Sequence, residues 1–397
     1  VNKMKVLYLG YYRDGTGWAK AAQDYILALD SAGVEVVPRF IKLNNQNHKI
    51  PERIDELESQ NDKNCNIVIQ HLLPHHMEYN GLFEKNIALY VTETDNCKKT
   101  CWPEKINLMD EAWVPNKFMA TEARHKNNII IPHFVVPHAC DVTKYQKEYK
   151  KIEIPELEQK FVFYYIGEVN KRKNIGIFLK AFHCEFGTDE DVGVFIKGHI
   201  PGRSEEQSYN HIAQMCESVK EGLKIYPERE LYHQEVILSK YLSEDEIMGI
   251  HSSFDCLVSS SFGEAWGIPI FDAMAMGKTP ISTNTGGPRD FINGGGRLVK
   301  SRQEPCFGMN ETFKDLYTGK ELWDSPDIND LQKAMRAAFQ NKEENKKMRE
   351  SGIENSYSYS YSNVGMLMKK ILNGEHKTSF CSEKNLLKKA SIEGLFA

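Results

Sequence analysis

A chain of 397 residues is longer than one ordinary hydrophobic core supports, so two domains are expected, each able to bury its own centre. Hydrophobic content of 41% and charged content of 26% fall in the soluble globular range, and no apolar run approaches the roughly 20 residues that span a bilayer, which excludes an integral membrane protein. The net charge of -5 is spread evenly, with 20 basic against 21 acidic side chains up to Glu156 and 30 against 34 after it, so neither half has the basic excess of a nucleic-acid binder. The opening VNKMKVLYLGYY runs straight into a strand pattern without the features of a signal peptide, and the nine cysteines are odd in number and scattered. A cytoplasmic address with reduced thiols is expected.

Short apolar runs alternate with amphipathic segments, the pattern of parallel sheets with helical crossovers, so the class is α/β. The first half reads as strands at Lys5 to Leu9, Val34 to Phe40, Asn66 to Gln70, Ile87 to Thr92, Ala112 to Val114 and His133 to Val136. Between the first two, Trp18 to Ser31 places Ala21, Ala22, Tyr25, Ile26 and Leu29 at helical spacing, and Gly33 stops it. The charged, proline-containing stretch from Lys144 to Gln159 reads as an interdomain linker. The alternation restarts at Phe161, with strands at Val192 to Lys197, Glu235 to Ser239, Asp255 to Ser259 and Thr279 to Ser282. Helices are expected at Ser204 to Glu221 and Ser243 to His251, then at Ile328 to Gln340, Lys342 to Glu350 and Ser362 to Leu372. The expected bounds are 1–157 and 158–355 for two domains, with 356–397 a terminal helix and polar tail.

Four segments carry chemistry. In SSSFGEAWGIPIFDAMAMGKTPISTNTGG, from Ser259 to Gly287, a strand ends and a helix begins near Ile268 with proline in its first turn, where its missing N–H is harmless. The N–H groups of Gly267 and Ile268 then form an anion site, with Glu264 just before the helix and Asp272 about one turn into it. The loop GEVNKRKN, Gly167 to Asn174, follows an apolar strand and leads to a helix capped near Asn174; it reads as a flexible basic loop suited to a diphosphate or as a solvated basic turn. After the first strand, GYYRDGTG supplies Gly15, Thr16 and Gly17, either as backbone close to a ligand or as a tight turn. Its glycines do not make the dinucleotide fingerprint, which disfavours a dehydrogenase. The fourth segment, YVTETDN, puts Glu93 at a strand end, either as a ligand-binding acid or paired with a nearby base.

The first of these segments resembles retaining glycosyltransferases of family 4, the glycosyl transferases group 1. Glu264, Trp266, Gly267, Pro269, Ala273, Met274, Ala275, Gly277, Pro280, Gly286 and Gly287 match the family's pattern of two acids eight positions apart in a glycine-rich context. One departure is Asp272, a carbon shorter than the usual glutamate. DEAWVPNKF and VVPHACD are similar to the family's N-domain landmarks, and Glu93 falls where many members carry histidine. The resemblance implies a GT-B fold, two Rossmann-like domains facing each other across a cleft, with the donor on the second and most of the acceptor on the first. It also implies that Glu264 contacts the transferred sugar, Asp272 the ribose, and Arg172 and Lys173 the phosphates, Lys173 ahead of Arg172 because Glu168 follows Gly167. Gly15, Thr16 and Gly17 are given to donor phosphates or acceptor, and Glu93 to the sugar or the acceptor.

The expected function is therefore metal-independent transfer of a hexosyl unit from a UDP-, GDP- or ADP-sugar to a hydroxyl acceptor (glycan, lipid or small molecule) with retention. No cofactor and no nucleic acid are expected; peripheral membrane contact stays open. The alternatives are a non-catalytic sugar-nucleotide-binding protein, or a hydrolase or epimerase acting on the same ligand. Asp189 and Asp191 form a DxD in a hydrophilic turn, and His71, His75 and His76 with Cys97 and Cys101 follow no recognised zinc spacing, so neither set is assigned a metal.

Overall fold

The computed structural model describes residues 4–43, 47–310 and 312–376; the polar tail with Leu386 and Leu387 lies outside them. The chain divides into two compact units, Val1–Asp141 with Ser358–Ala397, and Val142–Tyr357.

Unit 1 contains strands β1 (Lys5–Gly10), β2 (Glu35–Phe40), β3 (Ile67–His71), β4 (Lys85–Leu89), β5 (Glu111–Val114) and β6 (His133–Val135), with helices α1 (Gly17–Ser31), α2 (Glu52–Glu58), α3 (Trp102–Asn107) and α4 (Arg124–Lys126). All six strands are parallel in the order β2-β1-β3-β4-β5-β6. A central strand is covered on both faces, so β3, IVIQH, is buried at every position, and its two polar side chains are satisfied inside, Gln70 by the Glu78 carbonyl at 2.7 Å and His71 by the Tyr8 hydroxyl at 2.8 Å. The strand expected to reach Thr92 stops at Leu89, where its pairing with β5 ends at Leu89 opposite Trp113, and the chain beyond becomes the loop that carries Glu93.

Unit 2 holds β7 (Phe161–Glu168), β8 (Val192–His199), β9 (Glu235–Leu238), β10 (Cys256–Ser259), β11 (Ile281–Thr283) and β12 (Arg297–Val299), all parallel in the order β12-β11-β10-β7-β8-β9. Its helices are α5 (Ile175–Glu185), α6 (Glu205–Leu223), α7 (Glu244–Ser253), α8 (Ile268–Ala275), α9 (Gly286–Phe291), α10 (Ile328–Gln340) and α11 (Lys342–Tyr357). One sheet face buries Phe163, Val194, Ile196 and Val258 with Phe178 and Phe182 of α5 and Met335 of α10. Residues in the alternate register look the other way, where Phe195 packs against Phe254 with its ring tilted by 38° and the Tyr164 hydroxyl meets His251 Nδ1 at 2.9 Å. An antiparallel hairpin, β13 (Ser301–Pro305) with β14 (Leu322–Pro326), and the three-residue β12 have no counterpart in the sequence reading. The polar SRQEP carries no apolar alternation to mark it.

The stretch from Lys144 to Gln159 is packed onto unit 2. Lys144 is buried, Tyr145 bonds Asp272 at 2.6 Å, and Ile152 N–H donates to Ser253 Oγ at 2.7 Å. The units divide at 141/142 and 357/358 for this reason, where the sequence places them at 157/158 and 355/356.

The last helix, α12 (Tyr361–Leu372), returns to unit 1, where Val364, Met368 and Ile371 join the core. It lies so close to α1 that a Cβ on Gly365 would come within 2.0 Å of the Ala28 carbonyl oxygen. Cys140 N–H donates to the Tyr359 carbonyl at 2.8 Å, and Tyr361 N–H to the Cys140 carbonyl at 3.1 Å. Asp24, buried on α1, accepts from Tyr361 at 2.6 Å, Lys20 at 2.9 Å and His138 at 3.0 Å. Burial pushes the Asp24 carboxyl up, but Lys20, His138 and Tyr361 outweigh it and hold it at about 2, below its ordinary 3.8. A depressed carboxyl stabilises the fold fully above its unfolded pKa and loses that contribution as pH falls through the folded value. Asp24→Asn is therefore expected to cost about 2 kcal/mol at pH 7, by urea denaturation, and the gap to wild type should close between about pH 4 and pH 2.

Candidate active site

At the C-terminal end of β10 the chain turns through Ser260 to Gly267 and enters α8. Gly267 adopts φ 92°, and its carbonyl accepts from Ile270 and Phe271 at 3.0 and 3.1 Å. The N–H groups of Gly267 and Ile268 precede these first bonded donors, and Pro269 has none, so the helix start presents its positive end without internal acceptors.

Glu264 lies in this turn, 7% exposed. Its Oε1 accepts from Lys173 Nζ at 2.5 Å and Ser261 Oγ at 2.7 Å, and its Oε2 stands 3.6 Å from Arg172. Arg172 also donates to the Gly263 carbonyl at 2.7 Å, while its own carbonyl accepts Phe262 N–H at 2.8 Å, so the loop after β7 and the turn after β10 are tied together twice. Burial pushes the Glu264 carboxyl up; Lys173 and then Arg172 pull it further down, leaving it ionised below the usual carboxylate range. Two cations against one anion leave this cluster with one net positive charge beside a helix N-terminus. That is a complement to phosphate.

Within GEVNKRKN the three cations diverge. Lys171 stands over the Phe262 and Phe307 rings at 5.7 and 5.1 Å, leaving Arg172 and Lys173 to the acid. The cap expected of Asn174 is not formed: the residue is left-handed at φ 50° and its side chain makes no capping bond. Asn170 organises the turn instead, its Oδ1 accepting Lys173 N–H at 3.0 Å and its carbonyl Asn174 N–H at 3.3 Å. Sequence reasoning missed Asn170 and Ser261; their three-residue spacings to Lys173 and Glu264 were the available signal, a side-chain-to-backbone turn at Asn170 and a hydroxyl-to-carboxylate contact at Ser261.

Asp272 does not join Glu264. Its Oδ1 takes the Tyr145 hydroxyl at 2.6 Å and Lys144 Nζ at 3.1 Å, and Lys144 also pairs with Glu244. Burial raises this carboxyl, and Lys144, His251 and Tyr145 more than reverse it.

Gly287 binds the end of the matched segment to its start. Its N–H donates to the Glu264 carbonyl at 3.1 Å, and a Cβ would fall 2.6 Å from Trp266 Cα, 2.7 Å from Trp266 O and 2.8 Å from Ala265 O. All three obstacles are backbone. Gly287→Ala is expected to cost about 1–3 kcal/mol and to displace the Glu264 turn, giving a lower melting temperature together with weaker nucleoside diphosphate binding.

The remaining candidates belong to unit 1. Gly15, at φ 68°, precedes Thr16, whose Oγ1 caps α1 by accepting Ala19 N–H at 3.1 Å, and Gly17 opens the helix. Glu93 is half-buried in the loop after β4. The histidines set aside as zinc ligands are otherwise engaged: His71 with Tyr8 at 2.8 Å, His76 with Tyr11 at 2.6 Å, and His75 with the Trp102 indole N–H at 3.1 Å. Among the described residues no three His, Cys, Asp or Glu side chains gather as a metal site, and no helix is long and apolar enough to cross a membrane.

Three solved structures share this fold across nearly their whole length. Sucrose-phosphate synthase from Thermosynechococcus elongatus is 13% identical at a TM-score of 0.63, covering 94% of this chain and 98% of its own. The HepE protein of Anabaena, in complex with UDP and glucose, is 10% identical at 0.61, covering 94% and 100%. A glycosyltransferase from Rickettsia africae is 14% identical at 0.60, covering 96% and 100%. The two-unit α/β architecture is thus of the GT-B type. No curated protein matches the sequence. Residues 146–304, which contain Arg172, Lys173, Glu264 and Asp272, match the family model described as glycosyl transferases group 1.

Proposed function

We propose that the protein transfers a hexosyl unit from a nucleoside diphosphate sugar to a hydroxyl acceptor with retention of anomeric configuration, without a metal. The observation that carries this reading is the Lys173–Glu264–Arg172 cluster at the N-terminus of α8, inside the matched residues, with Glu264 and Arg172 buried and Lys173 half-buried. The bond from the anomeric carbon to the diphosphate oxygen breaks, and the electron pair leaves with the diphosphate. Lys173, Arg172 and the N–H groups of Gly267 and Ile268 stabilise that charge more in the transition state than in the ground state. The acceptor oxygen attacks from the same face, and its proton passes to the leaving phosphate oxygen.

Glu264 holds the two cations in register and is assigned to the transferred sugar. With Oδ1 of Asp272 taken, Oδ2 is the oxygen we assign to the ribose hydroxyls. Glu93 is assigned to the sugar or acceptor, and Gly15 to Gly17 to backbone contact with the ligand. HepE's complex with UDP and glucose supports a nucleotide sugar as the donor class.

The test is incubation of the full chain with UDP-, GDP- and ADP-hexoses and a panel of glycan, lipid and small-molecule acceptors, with and without EDTA. Acceptor-dependent product of unchanged anomeric configuration, undiminished by EDTA, is expected. Free sugar or an isomer formed without acceptor would replace this reading with a hydrolase or epimerase.

A further inference from the structure

Asp272 lies about one turn into α8, buried, and the groups that hold it come from a distant part of the chain. Val142–Gln146 forms a short 3₁₀ turn at the start of unit 2, from which the Tyr145 hydroxyl donates to Asp272 Oδ1 at 2.6 Å and Lys144 Nζ stands 3.1 Å from the same oxygen. A carboxylate oxygen has two lone pairs, so these two donors fill Oδ1. His251, although near, meets Tyr164 through Nδ1 at 2.9 Å and makes no bond through Nε2. Further donors must therefore be taken by Oδ2.

The Tyr145 hydroxyl adds little to the docking of its own segment, which is secured elsewhere. Ile152 N–H donates to Ser253 Oγ at 2.7 Å, the Tyr149 hydroxyl donates to the Lys144 carbonyl at 2.7 Å, and the Lys150 carbonyl lies so close to α7 that a Cβ on Gly249 would come within 2.6 Å of its oxygen. The Tyr145 ring also packs against Phe271 with centroids 6.3 Å apart, a contact that needs no hydroxyl. Lys144 is shared between Asp272 and the half-exposed Glu244, each at 3.1 Å, so its pull on the acid is divided. The directional bond that fixes how the carboxylate is turned is Tyr145's.

We infer that Tyr145 is a positioning residue for the donor: by pinning Oδ1 of Asp272 beside Lys144 it turns Oδ2 toward the ribose, so that an intact ribose is selected over a deoxyribose. This rests on the nucleotide-sugar reading and on the ribose role given to Asp272 there.

Calorimetric titration of the full chain with UDP, GDP and ADP and with their 2′-deoxy and 3′-deoxy forms tests it. The best-bound nucleotide is expected to lose about ten- to hundredfold in affinity without a hydroxyl that Asp272 holds, the range for a hydrogen bond to a charged group. Tyr145→Phe, which keeps the ring against Phe271, should reduce that loss to less than about threefold. A hydroxyl with a merely structural role would, when removed, weaken intact and deoxy nucleotides alike and leave their ratio as in wild type. Asp272→Ala, in which Lys144 keeps Glu244, should abolish the preference altogether. An unchanged ratio in Tyr145→Phe beside a lost one in Asp272→Ala would overturn the positioning role alone. A wild type without preference for intact ribose, or a preference kept by Asp272→Ala, would overturn the ribose assignment with it, and absence of binding by every nucleotide would overturn the nucleotide-sugar reading as well.

Discussion

Lys173→Ala is expected to lower kcat by about 10²- to 10³-fold, the range seen when one preorganised donor is removed from developing charge. The side chain is well placed for that role: Asn170 fixes its backbone N–H and Glu264 its ammonium. The same substitution also takes the closest partner from a buried carboxylate, so a kinetic loss alone would not separate chemistry from folding. Glu264 keeps the Ser261 hydroxyl and Arg172 at 3.6 Å, however, so the fold should persist with a reduced melting temperature. Lys173→Arg restores the charge but not the point geometry and should recover stability before it recovers turnover. Steady-state kinetics with a fixed acceptor, read beside thermal melts, decide it; full turnover in a folded alanine variant would remove Lys173 from the mechanism.

Glu264→Ala should be the most damaging single change to the fold of unit 2. It leaves buried Arg172 and half-buried Lys173 facing each other without their anion, a loss of up to about 3–5 kcal/mol, the range for a broken buried pair. Glu264→Gln separates charge from shape, since the amide can still accept from Ser261. With the local charge raised from one positive to two, nucleoside diphosphate binding should tighten while turnover falls. That opposition is the signature of ground-state binding gained at the expense of the transition state. Because the Glu264 carboxyl is depressed on folding, its contribution is complete above the ordinary glutamate range and lost as pH falls through the folded value. Acid denaturation midpoints should therefore differ between wild type and glutamine variant, and near-identical midpoints would refute the ion cluster.

Both unit sheets were legible because parallel strands buried on two faces are built on near-continuous apolar runs, as FVFYYI and the IVI of β3 are. Glu264, Gly267 and Ile268 were legible for a similar reason: an acid and a glycine before a proline-containing helix start form a local pattern. What escaped was non-local. Nothing near Asp272 announces Tyr145, which reaches it across 127 residues, and so the acid's separation from Glu264 and the docking of 142–157 were invisible together. The hairpin β13/β14 was missed because β13 is polar and mostly exposed and is held to the largely buried LWDSP of β14 by backbone pairing, which leaves little trace in side-chain pattern.

Unit 1 is assembled from both ends of the described chain, with α12 closing against α1 at Gly365. During synthesis its first six strands must therefore wait for roughly two hundred residues of unit 2, some 10–40 s at typical elongation rates, before the helix that completes their core emerges. Unit 2 is contiguous and owes the ribosome no such delay. The apolar face of α1 that α12 covers stays exposed until then, and a released chain ending at Tyr357 should hold unit 2 folded while unit 1 stays open to protease.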